Sequence, residues 1–160
     1  MKKLTSSVYT FADLIADDFL YVDKTEFIWK LVSRGKGLYF LSRPRRFGKS
    51  LTLSTLKAVF EGRRELFEGL AIAKKGYGWK PYPVIHLDLG NCDARTPEDL
   101  RKYLAHVLRQ VCSDHGLAED ADPSQLAASF EGIIRAVAKD APAVILVDEY
   151  DKPILNAHVR

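Results

Sequence analysis

Residues 39–52 read Tyr-Phe-Leu-Ser-Arg-Pro-Arg-Arg-Phe-Gly-Lys-Ser-Leu-Thr, and they constrain the chain more than any other stretch. A short apolar run enters a basic turn, passes through Gly48-Lys49-Ser50, and continues as a helix-like segment. Such a layout brings the free N–H groups and the positive end of a helix to one point, where a phosphate group is well bound. Gly48 lets the backbone come close, Lys49 reaches the β- and γ-phosphates of a nucleotide, and the Ser50 hydroxyl ligates Mg²⁺. The usual spacing, G-x-x-x-x-G-K-[ST], asks for a glycine at position 43, where this chain has Arg43. Arginine tolerates φ > 0 poorly, so the loop must start in another conformation or be reshaped by Pro44. The alternative is a basic turn that begins a helix.

A second segment bears on that choice. Residues 143–151 read Ala-Val-Ile-Leu-Val-Asp-Glu-Tyr-Asp. The unbroken apolar run predicts a strand buried on both faces, as in a parallel sheet. It ends in two acids, where a P-loop enzyme keeps its Mg²⁺-associated carboxylate. Asp148 fits that role, and Glu149 fits a general base that polarises the attacking water. The competing reading is a buried strand that meets solvent through a charged turn.

Between these segments the pattern alternates. Asp23-Lys-Thr-Glu26 predicts a capping box with Asp23 at N-cap. It opens a helix whose Phe27, Ile28, Leu31 and Val32 share one face and which stops near Gly35. Residues 37–41 predict the first core strand, and 48–61 the helix of the loop, with Leu53, Leu56 and Phe60 inward. Residues 62–82 predict turns. Residues 83–89 predict a second strand in which His86 and Asp88 alternate with apolar neighbours. Thr96, Pro97 and Asp99 predict the start of a helix over 97–115 with a stripe from Leu100 to Val111. Asp122 predicts the cap of another helix from Pro123 to Ala138. Strands alternating with helices imply a parallel sheet with helices on its faces, and ligands at the strand carboxyl ends. Both acids and the Gly-Lys-Ser lie just past such ends, so one Mg²⁺-nucleotide can engage both.

The 160 residues are one domain's worth, and 47% hydrophobic with 28% charged residues is a soluble globular composition. A net charge of +3 is too small for a polycation. It is unevenly spread, however: residues 33–60 carry Arg34, Lys36, Arg43, Arg45, Arg46, Lys49 and Lys57 with no acid. Cys92 and Cys112 form no C-x-x-C, which speaks against a secreted disulfide scaffold. Cys112-x-x-His115 is half a zinc pattern without an evident second half. No apolar stretch reaches membrane-spanning length, and Asp13, Asp17 and Asp18 interrupt any leader-like start, so a cytoplasmic location is expected.

Four strings resemble one family in matching order over about residues 8–158. They are Tyr21-Val-Asp-Lys-Thr25, Arg43-Pro-Arg-Arg-Phe-Gly-Lys-Ser50, Leu66-Phe-Glu-Gly-Leu70 and Val147-Asp-Glu-Tyr-Asp-Lys-Pro-Ile154. The family is the AAA-ATPase-like group of prokaryotic P-loop proteins, with its R-P-R-R-F-G-K-[ST] and D-E-Y-D-x-P-I segments. In that resemblance Arg43 is the family's own variant. It implies an α/β fold, a three-layer P-loop NTPase of the additional-strand, catalytic-glutamate type with a parallel sheet. It also implies ATP and Mg²⁺ as cofactors, with nucleotide contacts from Arg45, Arg46, Phe47, Gly48, Lys49, Ser50 and Leu51. Ser50 and Asp148 would attend the metal, and Glu149 would be catalytic.

Many such proteins carry a C-terminal PD-(D/E)xK nuclease-like domain. A [DE]-x-K ending at Lys152 would need an acid where Tyr150 stands, so that motif is not present at 148–152. Only residues 150–160 follow the two acids. The resemblance therefore implies that residues 1–160 are the N-terminal part of the domain, truncated after the Walker B strand. The next strand would insert between the P-loop strand at 37–41 and the strand that ends at Asp148, and the later sensor and arginine residues would support hydrolysis. The competing function is a non-catalytic module that uses the basic 33–60 stretch for nucleic acid or another partner.

Overall fold

A computed structural model describes residues 2–5, 8, 10–42, 44, 47–118 and 121–153. The chain forms two units, Met1–Pro81 and Tyr82–Arg160.

The first unit is built from helices. Helix α1 (Phe11–Ala16) starts where the Thr10 hydroxyl accepts the Asp13 N–H. Helix α2 spans Thr25–Val32, and α3 spans Lys49–Phe60. Two 3-10 turns follow, Arg64–Phe67 and Ala71–Lys74, within the stretch whose sequence predicts turns. Phe11 and Phe67 are fully buried with ring centroids 4.7 Å apart. Tyr21 stands edge-on to Phe11 at 5.0 Å, and Trp79 lies 5.0 Å from Phe67. Offset and edge-on ring pairs of this kind add about 0.5–1.5 kcal/mol each beyond burial.

Two expectations are corrected here. The cap of α2 is shifted by one residue: Lys24 is the N-cap and makes no side-chain cap bond. Asp23 instead accepts from the Thr25 N–H and hydroxyl, while Glu26 turns to Lys30 and Lys75. Phe27 is 69% exposed, so the buried face of α2 is carried by Thr25 and Ile28. The second correction concerns residues 37–41, which form no strand. Leu38 and Phe40 are exposed. An apolar run becomes a strand only where another strand offers a ladder, and among the described residues this unit offers just the Lys3–Phe19 bridge.

The second unit holds strands β1 (Val84–Asp88) and β2 (Val144–Asp148), paired in parallel from Val84↔Val144 to Asp88↔Asp148. Between them run α4 (Pro97–Asp114) and α5 (Leu126–Val137). The order strand, helices, parallel strand makes the unit α/β, as the alternating sequence pattern predicts. Thr96 and Asp99 close a full capping box at the start of α4. Helix α5 begins three residues later than its sequence suggests, because Asp122 spends its carboxylate on the Ser124 N–H in a turn.

Ile85 is fully buried against Leu108, Val111, Cys112 and Ile133 of the two helices. In a parallel ladder, partners point to the same side. Ile145 and Val147 therefore share the face of Ile85 and Leu87, yet they are 41% and 38% exposed. The expectation that this strand is buried on both faces is corrected: α4 packs against β1 and leaves β2's share of that face open. The Cys112-x-x-His115 pair separates in role, since the His115 ring Nε2 lies 3.1 Å from the Val84 carbonyl. Among the described residues no helix is long and apolar enough to cross a membrane.

Candidate functional site

The loop of the first unit ends at Gly48, the N-cap of α3, with φ 72° and ψ 30°. That left-handed conformation suits glycine, and nothing lies within 4 Å of where a Cβ would stand. The Gly48 carbonyl takes the first intrahelical bond from the Thr52 N–H at 2.9 Å, plus the Thr52 hydroxyl at 2.8 Å. The N–H groups of Lys49, Ser50 and Leu51 precede that first bond and belong to the donor-rich end of the helix. No acid stands in the first turn of α3, so no carboxylate of the helix itself competes for those donors. Lys49 and Ser50 are half-buried and Phe47 is exposed. Arg45 and Arg46, like Arg43, lie outside the described residues.

Packing holds this helix from behind. The Ser54 hydroxyl accepts the Phe11 N–H at 2.9 Å and donates to the Leu51 carbonyl. Thr55, Leu56, Ala58 and Val59 are buried. Tyr21 hydrogen-bonds Thr55, and its phenol is pushed up chiefly by burial. Tyr21–Thr25, expected from its residues only to cap a helix, supports the back of α3 and the second 3-10 turn.

The second unit carries the acids. Asp148 ends β2 with only 7% of its surface exposed, and its Oδ1 accepts the Glu149 N–H at 2.9 Å. A buried carboxylate needs such partners. Glu149 sits at φ 51°, a left-handed conformation that a side-chain-bearing residue adopts at a cost. The Lys152 N–H closes the following turn on the Glu149 carbonyl at 2.9 Å, and no ion pair joins Asp151 to Lys152 among the described residues. Asp88, the register partner of Asp148, ends β1 on the same face. Its Oδ1 accepts the Gly90 N–H at 2.8 Å. From sequence Asp88 is expected only as part of a polar strand face. The signal it leaves unused is that both strands end in aspartate, with Gly90 close behind the first.

These groups fit Mg²⁺ and a phosphate chain by their chemistry. A hydroxyl and a carboxylate are hard oxygen donors of the kind Mg²⁺ takes. A left-handed glycine at a helix start is an open approach for phosphate oxygens.

A model of the AAA-ATPase-like family, described as a predicted AAA-ATPase, matches residues 6–160, and the chain belongs to that family. The chain is 40% identical over 162 residues to a protein of Azotobacter chroococcum mcd 1 called "Uncharacterized protein in vnfD 5'region". That alignment takes in 99% of this chain and 31% of the relative, so the chain spans about a third of the relative's length. No solved structure matches the chain.

Proposed function

We propose that this chain binds Mg-ATP through Gly48, Lys49 and Ser50, as part of an ATPase domain of the P-loop NTPase fold. The observation that carries the reading is the left-handed Gly48 at the start of α3, with open space over its Cα and no acid in the first turn. Family membership supports the nucleotide and supplies the preference for adenine.

In this reading the N–H groups at the start of α3 hold phosphate oxygens, and Lys49 neutralises the β/γ charge. Phe47 and Leu51 flank the loop, with Arg45 and Arg46 adding phosphate contacts. Ser50 and Asp148 are the oxygen donors that would attend Mg²⁺, which when bound offsets the charge of the phosphate chain. Glu149 takes a proton from the attacking water. A nuclease-like domain in a longer protein is the partner this reading anticipates, and a cytoplasmic location goes with it.

The test is thermal unfolding of the chain with increasing Mg-ATP, beside Lys49→Ala. A ligand bound only by the native state stabilises it by about 2.7 kcal/mol at one hundred times its Kd. The midpoint should rise with Mg-ATP in the wild type and stay flat in the variant. If both stay flat, while Lys49→Ala lowers the salt dependence of nucleic-acid binding by about one charge, the basic-module reading replaces this one.

A further inference from the structure

The loop after β1 passes beside the Glu149 side chain, and one residue there has no side chain of its own. A Cβ built on Gly90 would stand 3.0 Å from Asp88 Oδ1 and 3.6 Å from Glu149 Cγ. The first distance is tighter than ordinary packing, and the second is van der Waals contact. Gly90 is not in a left-handed conformation, so its backbone does not call for glycine. The space above its Cα is what a side chain would fill, and the Asp88 carboxylate and the Glu149 stem converge on it.

The loop is well tied. The Leu89 N–H donates to the Asp148 carbonyl at 3.1 Å, which carries the ladder one step past the strands. The Gly90 N–H is held by Asp88 Oδ1, and the Cys92 N–H closes on the Leu89 carbonyl. The Tyr103 hydroxyl of α4 donates to the Asp88 carbonyl at 3.3 Å. Leu89, Cys92 and Ala94 are buried. Opposite this wall, Glu149 is fixed by its own left-handed turn and by the Asp148 cap on its N–H. Backbone strain at a residue with a carboxylate to place is a recurring mark of a positioned group.

We propose that Asp88 and Gly90 are positioning residues for the Glu149 carboxylate. Asp88 pins the turn, and Gly90 leaves the gap in which the Glu149 side chain takes its direction. The proposal rests on the reading of Glu149 as the base for the attacking water. It assigns Asp88 a role through its acceptor oxygen rather than its charge.

Two readouts separate the claims. The first is the carboxyl resonance of Glu149 in protein carrying ¹³C-labelled glutamate, identified by its loss in Glu149→Gln. It should move in Gly90→Val and in Asp88→Ala, and stay in Asp88→Asn, where the amide oxygen still accepts the Gly90 N–H. An unmoved resonance in Asp88→Ala, or one that moves equally in Asp88→Asn, overturns the proposal. The Asp88 pair keeps the test decisive if Gly90→Val does not fold.

The second readout is Mg-ATP turnover. Asp88→Ala should lower kcat by about 10- to 100-fold with KM within about twofold, and Asp88→Asn should restore it. Wild-type kcat in Asp88→Ala overturns the catalytic consequence. A wild-type turnover that Glu149→Gln leaves unchanged instead sinks the reading of Glu149 itself. The resonance still reports the placement in that case.

Discussion

The carboxylate of Asp23 accepts the N–H of Ala71 at 2.7 Å, 48 residues further along the chain. Beside it, the Thr25 hydroxyl donates to Asp23 Oδ1 at 2.7 Å and accepts the Ile72 N–H at 3.0 Å. The first N–H groups of a helical turn have no partner inside it. Here two of them, at the start of the second 3-10 turn, are met by side chains from the start of α2. Two of the four recognisable strings of this sequence are thereby stitched to each other: Tyr21–Thr25 reaches the residues directly after Leu66–Leu70.

Thr25 is fully buried, so its hydroxyl cannot be replaced by water. Thr25→Val keeps the shape and leaves the Ile72 N–H without its acceptor. The expected loss is about 1–3 kcal/mol, read from the midpoint of urea unfolding at constant slope. A midpoint equal to wild type would show that the hydroxyl contributes nothing to the latch.

Asp23 makes part of this stability depend on pH. Burial by itself would raise its pKa. Hydrogen bonds from the Thr25 hydroxyl, the Thr25 N–H and the Ala71 N–H, with the charge of Lys74, outweigh that and hold it below the ordinary value. The native state thus favours the anion. Its contribution is complete above the unfolded carboxylate pKa, about 4, and is lost as pH falls through the lower folded value. The stability gap between wild type and Asp23→Asn should therefore be widest at neutral pH and close in acid. A gap constant across that range would contradict the sign.

Gly62 has φ 74°, and a Cβ there would meet the Trp79 carbonyl oxygen at 2.8 Å. Gly69 has φ 80° but open space around it. Alanine at Gly69 should cost only the left-handed penalty, about 1–2 kcal/mol. Alanine at Gly62 must also push backbone from backbone and should cost clearly more. Side-by-side thermal unfolding of the two variants decides this. Equal losses would mean that the Trp79 carbonyl yields freely.

Glu149 should trade stability for function. Its left-handed backbone is relaxed by glycine, so Glu149→Gly is expected to raise stability by several tenths to about 1 kcal/mol. The same change removes the carboxylate and should abolish turnover while sparing Mg-ATP binding. A destabilised Glu149→Gly would show that side-chain packing outweighs the backbone cost.

Local chemistry was legible in the residues alone. Thr96, Pro97 and Asp99 announce α4 because capping is settled within a few residues. Gly48 announces the start of α3, and the run before Asp148 announces β2, for the same reason. Family membership was equally readable, because four strings in order are specific. Long-range pairing was not. Residues 37–41 have the composition of a strand, but a ladder requires a partner that no local pattern can promise. The open face at Ile145 and Val147 depends on how far the α4–α5 layer reaches, which periodicity does not encode. The bond from Asp23 to Ala71 and the approach of Gly90 to Glu149 arise only when distant segments pack. Sequence thus determined where α3, α4 and β2 lie and what chemistry their ends carry. Tertiary structure decided which of those ends are supported, and by what, because packing and hydrogen-bond partners are properties of neighbours in space.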